Sequence, residues 1–427
     1  MPSDRESPPL QPLIISRDEH PVSRRDINPN ALKVLYKLHN AGYEAYLVGG
    51  AIRDLLLGMH PKDFDIACDA TPEQVKHLFR NSRLIGRRFR LAHIVFGRDI
   101  IEVATFRSGS DDGSGDRTVG SEGRLTRDNI YGRVDEDAIR RDFTANALYY
   151  SIADFSIRDY VDGFKDVRNK VLRLIGDPET RYREDPVRML RAIRLAAKLG
   201  FTIESETARP IREMANLLQN VAPARLYEET KKMFLTGYGV AAFEGLEQFG
   251  LLEWLFPGTA KALATNRSGV LRDLVIAGLR NTDDRVARGD SVAPYFLFAV
   301  MLWPEFCLEF NRLLKGGMQG PEAQRRACDR VIVKQLDRIA IPRRDTLPMQ
   351  EVWLMQERLQ TRQRRRVSRL LAHPRFRAAY DFLQLRASAA PGHQDDLDFW
   401  TAAQTMPADD LDQLLANANA RAKRQTT

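Results

Sequence analysis

Segments with the apolar pattern of β-strands are confined to the first part of this chain. They recur up to about Asp166, where helix-like segments separate them, and after about Glu179 they nearly vanish. From there to the C-terminus, Ala, Leu and Arg recur at helical spacing. This division predicts an α+β protein in which a mixed sheet with helices is followed by an all-helical C-terminal half.

The composition is that of a folded protein with more than one domain. The chain has 427 residues, of which 43% are hydrophobic and 29% charged, and this length suggests two or three domains. The net charge of +8 favours polyanionic partners. Three isolated cysteines, at positions 68, 307 and 328, show no C-x-x-C spacing. We therefore expect neither a disulfide framework nor a thiolate zinc site, and a reducing cytoplasm as the location.

Membrane insertion is not expected from the sequence. The N-terminus lacks the apolar segment of a signal peptide. The most apolar run, residues 292–303, contains Pro294 and is too short to span a bilayer, so we interpret it as a buried helix.

Two aspartates separated by one residue, Asp63 and Asp65, give the sharpest chemical signal. On a strand they would share a face, about 7 Å apart, while Phe64 would turn into the core. Paired carboxylates suit hard cations such as Mg²⁺, and two such ions can clamp the oxygens of a phosphoryl displacement. An exposed edge strand with two solvated acids is the alternative.

The flanking residues favour the chemical interpretation. An apolar strand before Asp63 ends at Gly49 and Gly50, where a helix carrying Arg53 begins. Such a turn lets a phosphate approach the backbone, and an arginine can add a bidentate contact, although most Gly-Gly turns are only turns. Glu102 lies in an otherwise apolar strand and is a candidate third carboxylate, the alternative being a solvent-facing acid.

Several long motifs, in order, resemble the class II nucleotidyltransferases, the family that comprises CCA-adding enzymes and bacterial poly(A) polymerases. The matching segments are 47–66 (with L-V-G-G-x-x-R-D-L-L-L-G and P-K-D-F-D), 140–148 (R-R-D-F-T-A-N-A-L), 159–166 (D-Y-V-D-G-F-K-D), 184–188 (E-D-P-V-R) and 224–229 (A-R-L-Y-E-E).

The resemblance implies a role for each matching residue. Metal binding is implied for Asp63, Asp65 and Glu102, with catalysis by the same three and Asp142. Triphosphate binding is implied for Gly49, Gly50 and Arg53, and ribose contacts for Asp142 and Asn146. The division of labour between Glu102 and Asp142 stays open. The implied cofactor is Mg²⁺, with Mn²⁺ as a possible substitute.

The E-D-x-x-R segment also supports an argument about base choice. Asp185 and Arg188 are three residues apart and can lie side by side on a helix. Asp accepts and Arg donates hydrogen bonds, which matches the donor–acceptor edge shared by adenine and cytosine. The pair should accept ATP or CTP and reject GTP and UTP. A plain helix cap formed by Asp185 is the structural alternative.

Residues 84–94, which include Arg87 and Arg88, are similar to the stretch that marks the poly(A) polymerase branch. The resemblance implies template-independent addition of AMP from ATP to RNA 3′ ends, by two-metal transfer with pyrophosphate release, promoting RNA turnover. A CCA-adding enzyme is the nearest alternative. A catalytically silent RNA-binding adaptor is the other, and its mark would be a broken D-x-D.

The implied domains are a flexible tail (1–22), a nucleotidyltransferase palm (23–166), a helical neck (167–236), a helical body (237–412) and a basic tail (413–427). Residues 108–123, rich in Gly, Ser and Asp, are expected to form a mobile loop. A dense basic run is expected to hold RNA phosphates, or else to be a solvated face. It comprises Arg362, Arg364, Arg365, Arg366 and Arg369. We expect a cytoplasmic monomer whose partners are RNA 3′ ends and ATP.

Overall fold

The protein is represented by a computed structural model. It describes residues 8–86, 90–108, 117–119, 125–128, 131–407, 411 and 413–415. The interpretations of Arg87 and Arg88, of most of the predicted loop 108–123 and of most of the basic tail 413–427 therefore lie outside the described residues. The chain divides into two compact units, Met1–Met214 and Ala215–Thr427.

All strands that the structure describes belong to the first unit. They are β1 (Leu13–Ile15), β2 (Ala45–Val48), β3 (Asp65–Cys68), β4 (Ser82–Ile85), β5 (Leu91–Phe96), β6 (Asp99–Thr105), β7 (Arg117–Val119), β8 (Leu125–Asp128), β9 (Leu148–Ser151), β10 (Ile157–Asp159), β11 (Val171–Leu172) and β12 (Thr202–Ile203). The helices of this unit are α1 (Pro29–Asn40), α2 (Gly50–Leu56), α3 (Pro72–Leu78), α4 (Val134–Ile139), α5 (Gly163–Arg168), α6 (Pro178–Glu184), α7 (Val187–Leu199), α8 (Ser205–Ala208) and α9 (Ile211–Met214).

An eight-stranded sheet organises the first unit, in the order β1-β10-β9-β2-β3-β6-β5-β4. Strands β3 and β6 pair in parallel, whereas the other neighbours are antiparallel. The smaller pairs are β11 with β12 and β7 with β8. The sheet is therefore mixed, as the sequence predicted.

The expected flexible tail is partly ordered, and that expectation needs correction. Residues 13–15 form the edge strand β1, which pairs antiparallel with β10. The backbone groups of β10 find partners along this edge, which explains why a segment rich in Pro and Ser is held on the sheet. After β1, the hydroxyl of Ser16 donates a hydrogen bond to the carboxylate of Asp18 in the turn that follows the strand.

Local sequence signals explain where the first helices begin. The side chain of Asn28 accepts hydrogen bonds from the first N–H groups of α1, and Thr71 forms a capping box with Gln74 at the start of α3. The apolar stripe of α1, formed by Ala31, Val34, Leu35 and Leu38, is buried. This stripe places α1 against β2, β3 and β6, the strands that carry the candidate site.

The described part of the second unit is helical and contains no strand. Its helices are α10 (Pro223–Phe234), α11 (Gly239–Gln248), α12 (Leu252–Leu255), α13 (Pro257–Thr265), α14 (Val270–Ala287), α15 (Pro294–Lys315), α16 (Gly320–Leu336), α17 (Arg343–Arg358), α18 (Arg364–Leu371), α19 (Phe376–Ala389) and α20 (Gln394–Ala403). The all-helical C-terminal half is thus confirmed.

The core of the second unit is aromatic and centred on α15. Phe306 stacks on both Trp303 and Trp353, with the Phe306 and Trp353 ring centroids 5.0 Å apart, while the two tryptophan rings are tilted at 52°. The indole of Trp353 donates to the Ala299 carbonyl at 3.0 Å, so its polar group is satisfied inside the core. The apolar run 292–303 is a buried helix segment, as predicted. Among the described residues, no helix combines the length and apolarity needed to cross a membrane.

The boundary between the units differs from the predicted end of the palm at residue 166. Strand β11 pairs with β12, and the N–H of Ile175 donates to the carbonyl of Asp142. These bonds group residues 167–214 with the sheet, so the neck predicted for 167–236 is shared between the two units.

A close helix crossing in the second unit predicts a measurable loss of stability. A Cβ at Gly278 on α14 would lie 2.6 Å from a Val300 methyl on α15. We expect Gly278→Ala to lower the free energy of unfolding by about 1–3 kcal/mol through overpacking. Thermal and urea unfolding measure the loss.

Gly320→Ala is the matched control, because a Cβ there meets no atom within 4 Å and its backbone is not left-handed. We expect it to be neutral or slightly stabilising. Adding Val300→Ala to Gly278→Ala should make the two changes less than additive, and strict additivity would contradict the contact.

Candidate active site

The pairing of β3 with β6 brings two of the predicted acids together. In the parallel register, Ile66 lies opposite Val103, which places Asp65 beside Glu102. Ile66 and Val103 are buried, while both acids turn to the other side and reach solvent. Asp63 lies two residues before the start of β3 and is also exposed. The expected alternation of Phe64 into the core is confirmed.

The carboxyl of Asp65 has a raised pKa, of about 6. Partial removal of water by the surrounding protein is the main cause, and the negative charges of Glu102 and Asp63 add to it. The positive charge of Arg141 acts in the opposite direction. Glu102 and Asp63 are therefore close enough for their charges to act on Asp65.

The acids offer the oxygen chemistry of a divalent cation site. Carboxylate oxygens at the end of a strand, with raised affinity for positive charge, are the ligands that hard cations prefer. Across the described residues, no three His, Cys, Asp or Glu side chains already stand together at ligating distance. The donor set fits a divalent ion, and Asp63 and Glu102 have the exposure needed to rotate toward it.

His93 faces Glu102 across the antiparallel pair β5–β6. Its Nε2 lies 3.0 Å from Glu102 Oε1, close enough for an ion pair when the imidazole is protonated, although the angle is outside hydrogen-bonding geometry. His93 was not among the predicted site residues. The register of two predicted strands is what brings it to the site.

The Gly49–Gly50 turn joins β2 to α2. Gly49 has a φ of +72°, which a residue with a side chain rarely adopts. A Cβ at Gly50 would lie 3.2 Å from Nη2 of Arg53, so the guanidinium lies directly against the turn. The glycines thus let the guanidinium groups of Arg53 and Arg141 approach the turn closely.

Arg53 is buried, with 4% of its surface exposed, rather than extended toward solvent. Its Nε donates to Asp54 Oδ1 at 2.8 Å, and its Nη1 donates to the side-chain oxygen of Asn146. The predicted bidentate contact with a phosphate would compete with these bonds. The guanidinium of Arg53 is thus held beside the turn by Asp54 and Asn146.

Asp142 is fully engaged by protein groups. It accepts from both Nε and Nη2 of Arg191, from the Asn146 side chain at 3.2 Å and from the N–H of Phe143 at 2.8 Å. Burial by itself raises the pKa of Asp142, but Arg191 and these hydrogen bonds outweigh it and hold the pKa at about 2. This carboxylate is paired with an arginine, unlike that of Asp65.

Arg141 is held by Asp137 and Tyr149 and lies close to the glycine turn and to Asp65. Its guanidinium donates to Asp137 and, at 2.8 Å, to the hydroxyl of Tyr149, which in turn donates to Asp137 at 2.7 Å. Its Nη1 is 3.6 Å from the position of a Cβ at Gly49. Arg141 thus places a fixed positive charge beside the glycine turn and near Asp65.

The E-D-x-x-R segment forms the junction between α6 and α7. Asp185 is the C-cap of α6, and its side chain accepts from the N–H of Val187, the first residue of α7, at 3.2 Å. The N-cap of α7 is Pro186, so the plain N-cap expected of Asp185 is wrong. Arg188 donates through Nη1 to Glu184 at 2.8 Å and to the carbonyl of Arg181 at 2.7 Å. These bonds fix the guanidinium of Arg188 at the start of α7.

The predicted RNA-binding arginines lie in the second unit and differ in exposure. Arg364, Arg365, Arg366 and Arg369 are exposed on α18, whose Val367 and Leu370 are buried. Arg362 is different: its Nη2 lies 3.0 Å from Asp396, its side chain is only 15% exposed, and it covers the Phe399 ring. We correct its assignment, because this ion pair uses the group that was expected to contact RNA.

The sequence reasoning missed residues that complete the first-unit site, above all Arg141, Arg191 and Lys198. Arg191 and Lys198 lie three and ten residues after Arg188 on α7. This spacing puts Arg188, Arg191 and Lys198 on one face of the helix. Helical spacing from the E-D-x-x-R motif is the signal that would have found Arg191 and Lys198, whereas Arg141 lies within the R-R-D-F-T-A-N-A-L segment itself. The partner of Lys198 is Asp54, at 3.1 Å.

Comparison with known families gives three matches along this chain. Residues 45–173 match the "Poly A polymerase head domain", residues 200–263 the "Probable RNA and SrmB- binding site of polymerase A" and residues 316–427 the "Polymerase A arginine-rich C-terminus". The head-domain match contains the candidate acids Asp63, Asp65, Glu102 and Asp142, whereas Glu184 and Asp185 lie beyond it.

Curated relatives agree with the family match. The chain is 50% identical to "Poly(A) polymerase I" of Escherichia coli O157:H7 over 381 residues, covering 88% of this chain and 82% of the relative. It is 45% identical to "Poly(A) polymerase I" of Haemophilus influenzae, covering 91% and 86%. A "CCA-adding enzyme" of Lactobacillus helveticus is 38% identical but covers only 51% of this chain and 53% of the relative.

Among solved structures, a Bacillus stearothermophilus CCA-adding enzyme in complex with CTP is similar. It has a TM-score of 0.57 and 25% identity, over 92% of this chain and 83% of that one. The fold is thus shared with CCA-adding enzymes, whereas the high identity along most of the length is to poly(A) polymerases. On these grounds the chain belongs to the bacterial poly(A) polymerase family of nucleotidyltransferases.

Proposed function

We propose that this chain transfers AMP from ATP to the 3′ end of RNA without a template and releases pyrophosphate. The observation that carries the proposal is the convergence of Asp63, Asp65 and Glu102 near a glycine turn, in a chain 50% identical to poly(A) polymerase I over 88% of its length. RNA and ATP are its substrates, and addition of short A-tails would promote RNA turnover.

The acids would hold divalent ions, which this family uses. We propose Mg²⁺ as the ion, with Mn²⁺ as a substitute, because the ligands are carboxylate oxygens. When bound, such ions stabilise charge on the attacking and leaving oxygens of a phosphoryl transfer. Asp63, Asp65 and Glu102 are the proposed ligands and catalytic acids.

Asp142 has a different proposed role. Its two oxygens already accept from Arg191 and Asn146, and its depressed pKa shows that its charge is compensated. We propose that Asp142 positions Asn146, and through it the ribose end of the nucleotide site. Glu102, which is 46% exposed at its side chain, is the third ligand of the metal site.

Asp185 and Arg188 are the proposed base-reading pair. The bond from Arg188 to Glu184 leaves its guanidinium in a fixed plane, which suits selective hydrogen bonding to one base edge. The pair favours ATP and CTP over GTP and UTP. A poly(A) polymerase is favoured over a CCA-adding enzyme because the CCA-adding relative matches only 51% of the chain. An intact Asp63-Phe64-Asp65 argues against a silent adaptor.

Four exposed arginines of α18 are the proposed RNA contact in the second unit. They present positive charge on one helix, which attracts a phosphate backbone. We further propose that the protein acts as a monomer in the cytoplasm.

Extension of a short RNA primer with each nucleotide singly tests the function. We expect long products with ATP, little with CTP, and none with GTP or UTP. Asp63→Asn and Asp65→Asn should each reduce kcat by at least about 10³-fold, since each removes a proposed metal ligand. Product length and rate are read on denaturing gels.

Asp69→Asn is the control, because Asp69 lies four residues after Asp65, is exposed, and accepts from the Glu44 N–H at 3.0 Å, which an amide oxygen can also do. It should retain activity. Efficient CTP addition that stops after two residues on tRNA lacking CCA would show the CCA-adding alternative instead.

Metal affinity should depend on pH through Asp65. Because its pKa is raised to about 6, the carboxyl binds a proton below that pH and competes with the cation. We expect the Mg²⁺ or Mn²⁺ affinity to fall as pH drops through about 6 and to level off above it. Glu102→Gln removes one repelling charge, so the midpoint should move to lower pH. An unchanged midpoint would contradict the coupling of these acids.

The affinity for RNA should depend less steeply on salt concentration when exposed arginines of α18 are replaced. For Arg365→Gln with Arg366→Gln, we expect the slope of log affinity against log salt to shrink by about 1.4, or about 0.7 per phosphate contact. Arg325→Gln with Arg326→Gln, an adjacent exposed pair on α16, is the control. Equal slopes for both double variants would argue against a specific role for α18.

A further inference from the structure

We infer that Lys198 is a positioning residue for ATP: by pairing with Asp54, it keeps the charge of Arg53 available to the triphosphate at the Gly49–Gly50 turn. This inference rests on the proposed function, because it concerns how that site holds ATP. Lys198 lies near the C-terminal end of α7, ten residues beyond Arg188, and no motif in the sequence pointed to it.

The geometry is a short chain of three charged groups. Asp54 Oδ1 accepts from Arg53, with Nε at 2.8 Å, while the other oxygen, Oδ2, accepts from Lys198 Nζ at 3.1 Å. The side chains of Arg53 and Asp54 are 4% and 7% exposed, and that of Lys198 is 31% exposed. Both carboxylate oxygens of Asp54 are therefore occupied by cations.

The charge balance gives Lys198 its function. Arg53 and Asp54 alone form a buried pair with no net charge, which attracts a polyanion weakly. Lys198 supplies a second positive charge, so the trio carries a net charge of about +1 at the site where Arg53 touches Gly50. Burial of the pair strengthens this effect, since nearby charges are poorly screened there.

A second contact links the trio to the rest of the site. Arg53 Nη1 donates to Asn146, whose amide donates to Asp142, which accepts from Arg191 on the same helix as Lys198. Helix α7 thus contacts both ends of this hydrogen-bonded chain. Arg191 binds Asp142 at one end, and Lys198 binds Asp54 at the other. Lys198 acts on ATP through Arg53 and Asp54 and does not itself touch the reacting atoms.

The experiment compares charge states of the trio in the full chain. Lys198→Met and Lys198→Gln each bring the net charge to zero, and we expect ATP to bind about tenfold more weakly by calorimetry, with KM for ATP raised to match. We expect kcat and KM for RNA to change less than twofold. Lys198→Arg should restore ATP binding, because it keeps the charge.

The double variant Lys198→Met with Asp54→Asn separates charge from structure. It returns the net charge to about +1, and an Asn oxygen can still accept from Arg53, so ATP affinity should recover toward wild type. A purely structural role for Lys198 predicts the reverse, since two buried contacts are then lost. Lys165→Met, an equal charge change at an exposed site on α5, is the control and should bind ATP normally.

The inference is overturned if both neutral variants bind ATP as wild type does, or if the folded double variant binds no better than Lys198→Met. Thermal unfolding identifies variants that fail to fold, and Lys198→Gln and Lys198→Arg then decide the result between them. Because calorimetry needs no polymerisation, failure of the proposed function would show separately, as ATP binding without AMP incorporation.

Discussion

Repulsion between like charges is the constraint that the first unit must overcome. Asp65 and Glu102 lie side by side because β3 and β6 pair through the buried residues Ile66 and Val103 on the opposite face. The apolar interior of the sheet thus holds together two carboxylates that would separate in water. Removal of water raises the pKa of Asp65 to about 6, and the charge of Glu102 adds to the shift. Both effects disfavour the bare carboxylate, so a bound cation would stabilise it.

The pKa values of Asp65 and Asp142 are shifted in opposite directions, so the two aspartates suit different roles in the proposed site. Asp65, with its raised pKa, has uncompensated negative charge and gains from a metal ion. Asp142, with a pKa of about 2, already has Arg191 as its counterion and gains little from another cation. This contrast is the physical reason for preferring Glu102 over Asp142 as the third ligand, a choice that the motifs alone left open.

Much of the fold followed from local rules, because caps and apolar spacing act within a few residues. The cap of α1 at Asn28, the capping box at Thr71 and the position of Glu102 between the buried Ile101 and Val103 all follow from such rules. The order of the strands, the pairing of residues 13–15 with β10 and the inward turn of Arg362 depend on contacts between residues far apart in sequence. Motif spacing carries no information about such contacts, so these features became visible only in three dimensions.

Helix α7 carries Arg188 at one end and Lys198 at the other, with Arg191 between them. A straight helix moves as a rigid rod, so a change that tilts one end also displaces the other. Because we propose that Arg188 reads the base and that Lys198 acts on the triphosphate, redesigning the residues around Arg188 alone would be expected to change triphosphate binding as well. A variant designed to add a different nucleotide would better replace the whole segment 184–199. Asp54 and Asp142, which accept hydrogen bonds from Lys198 and Arg191, would be replaced with it.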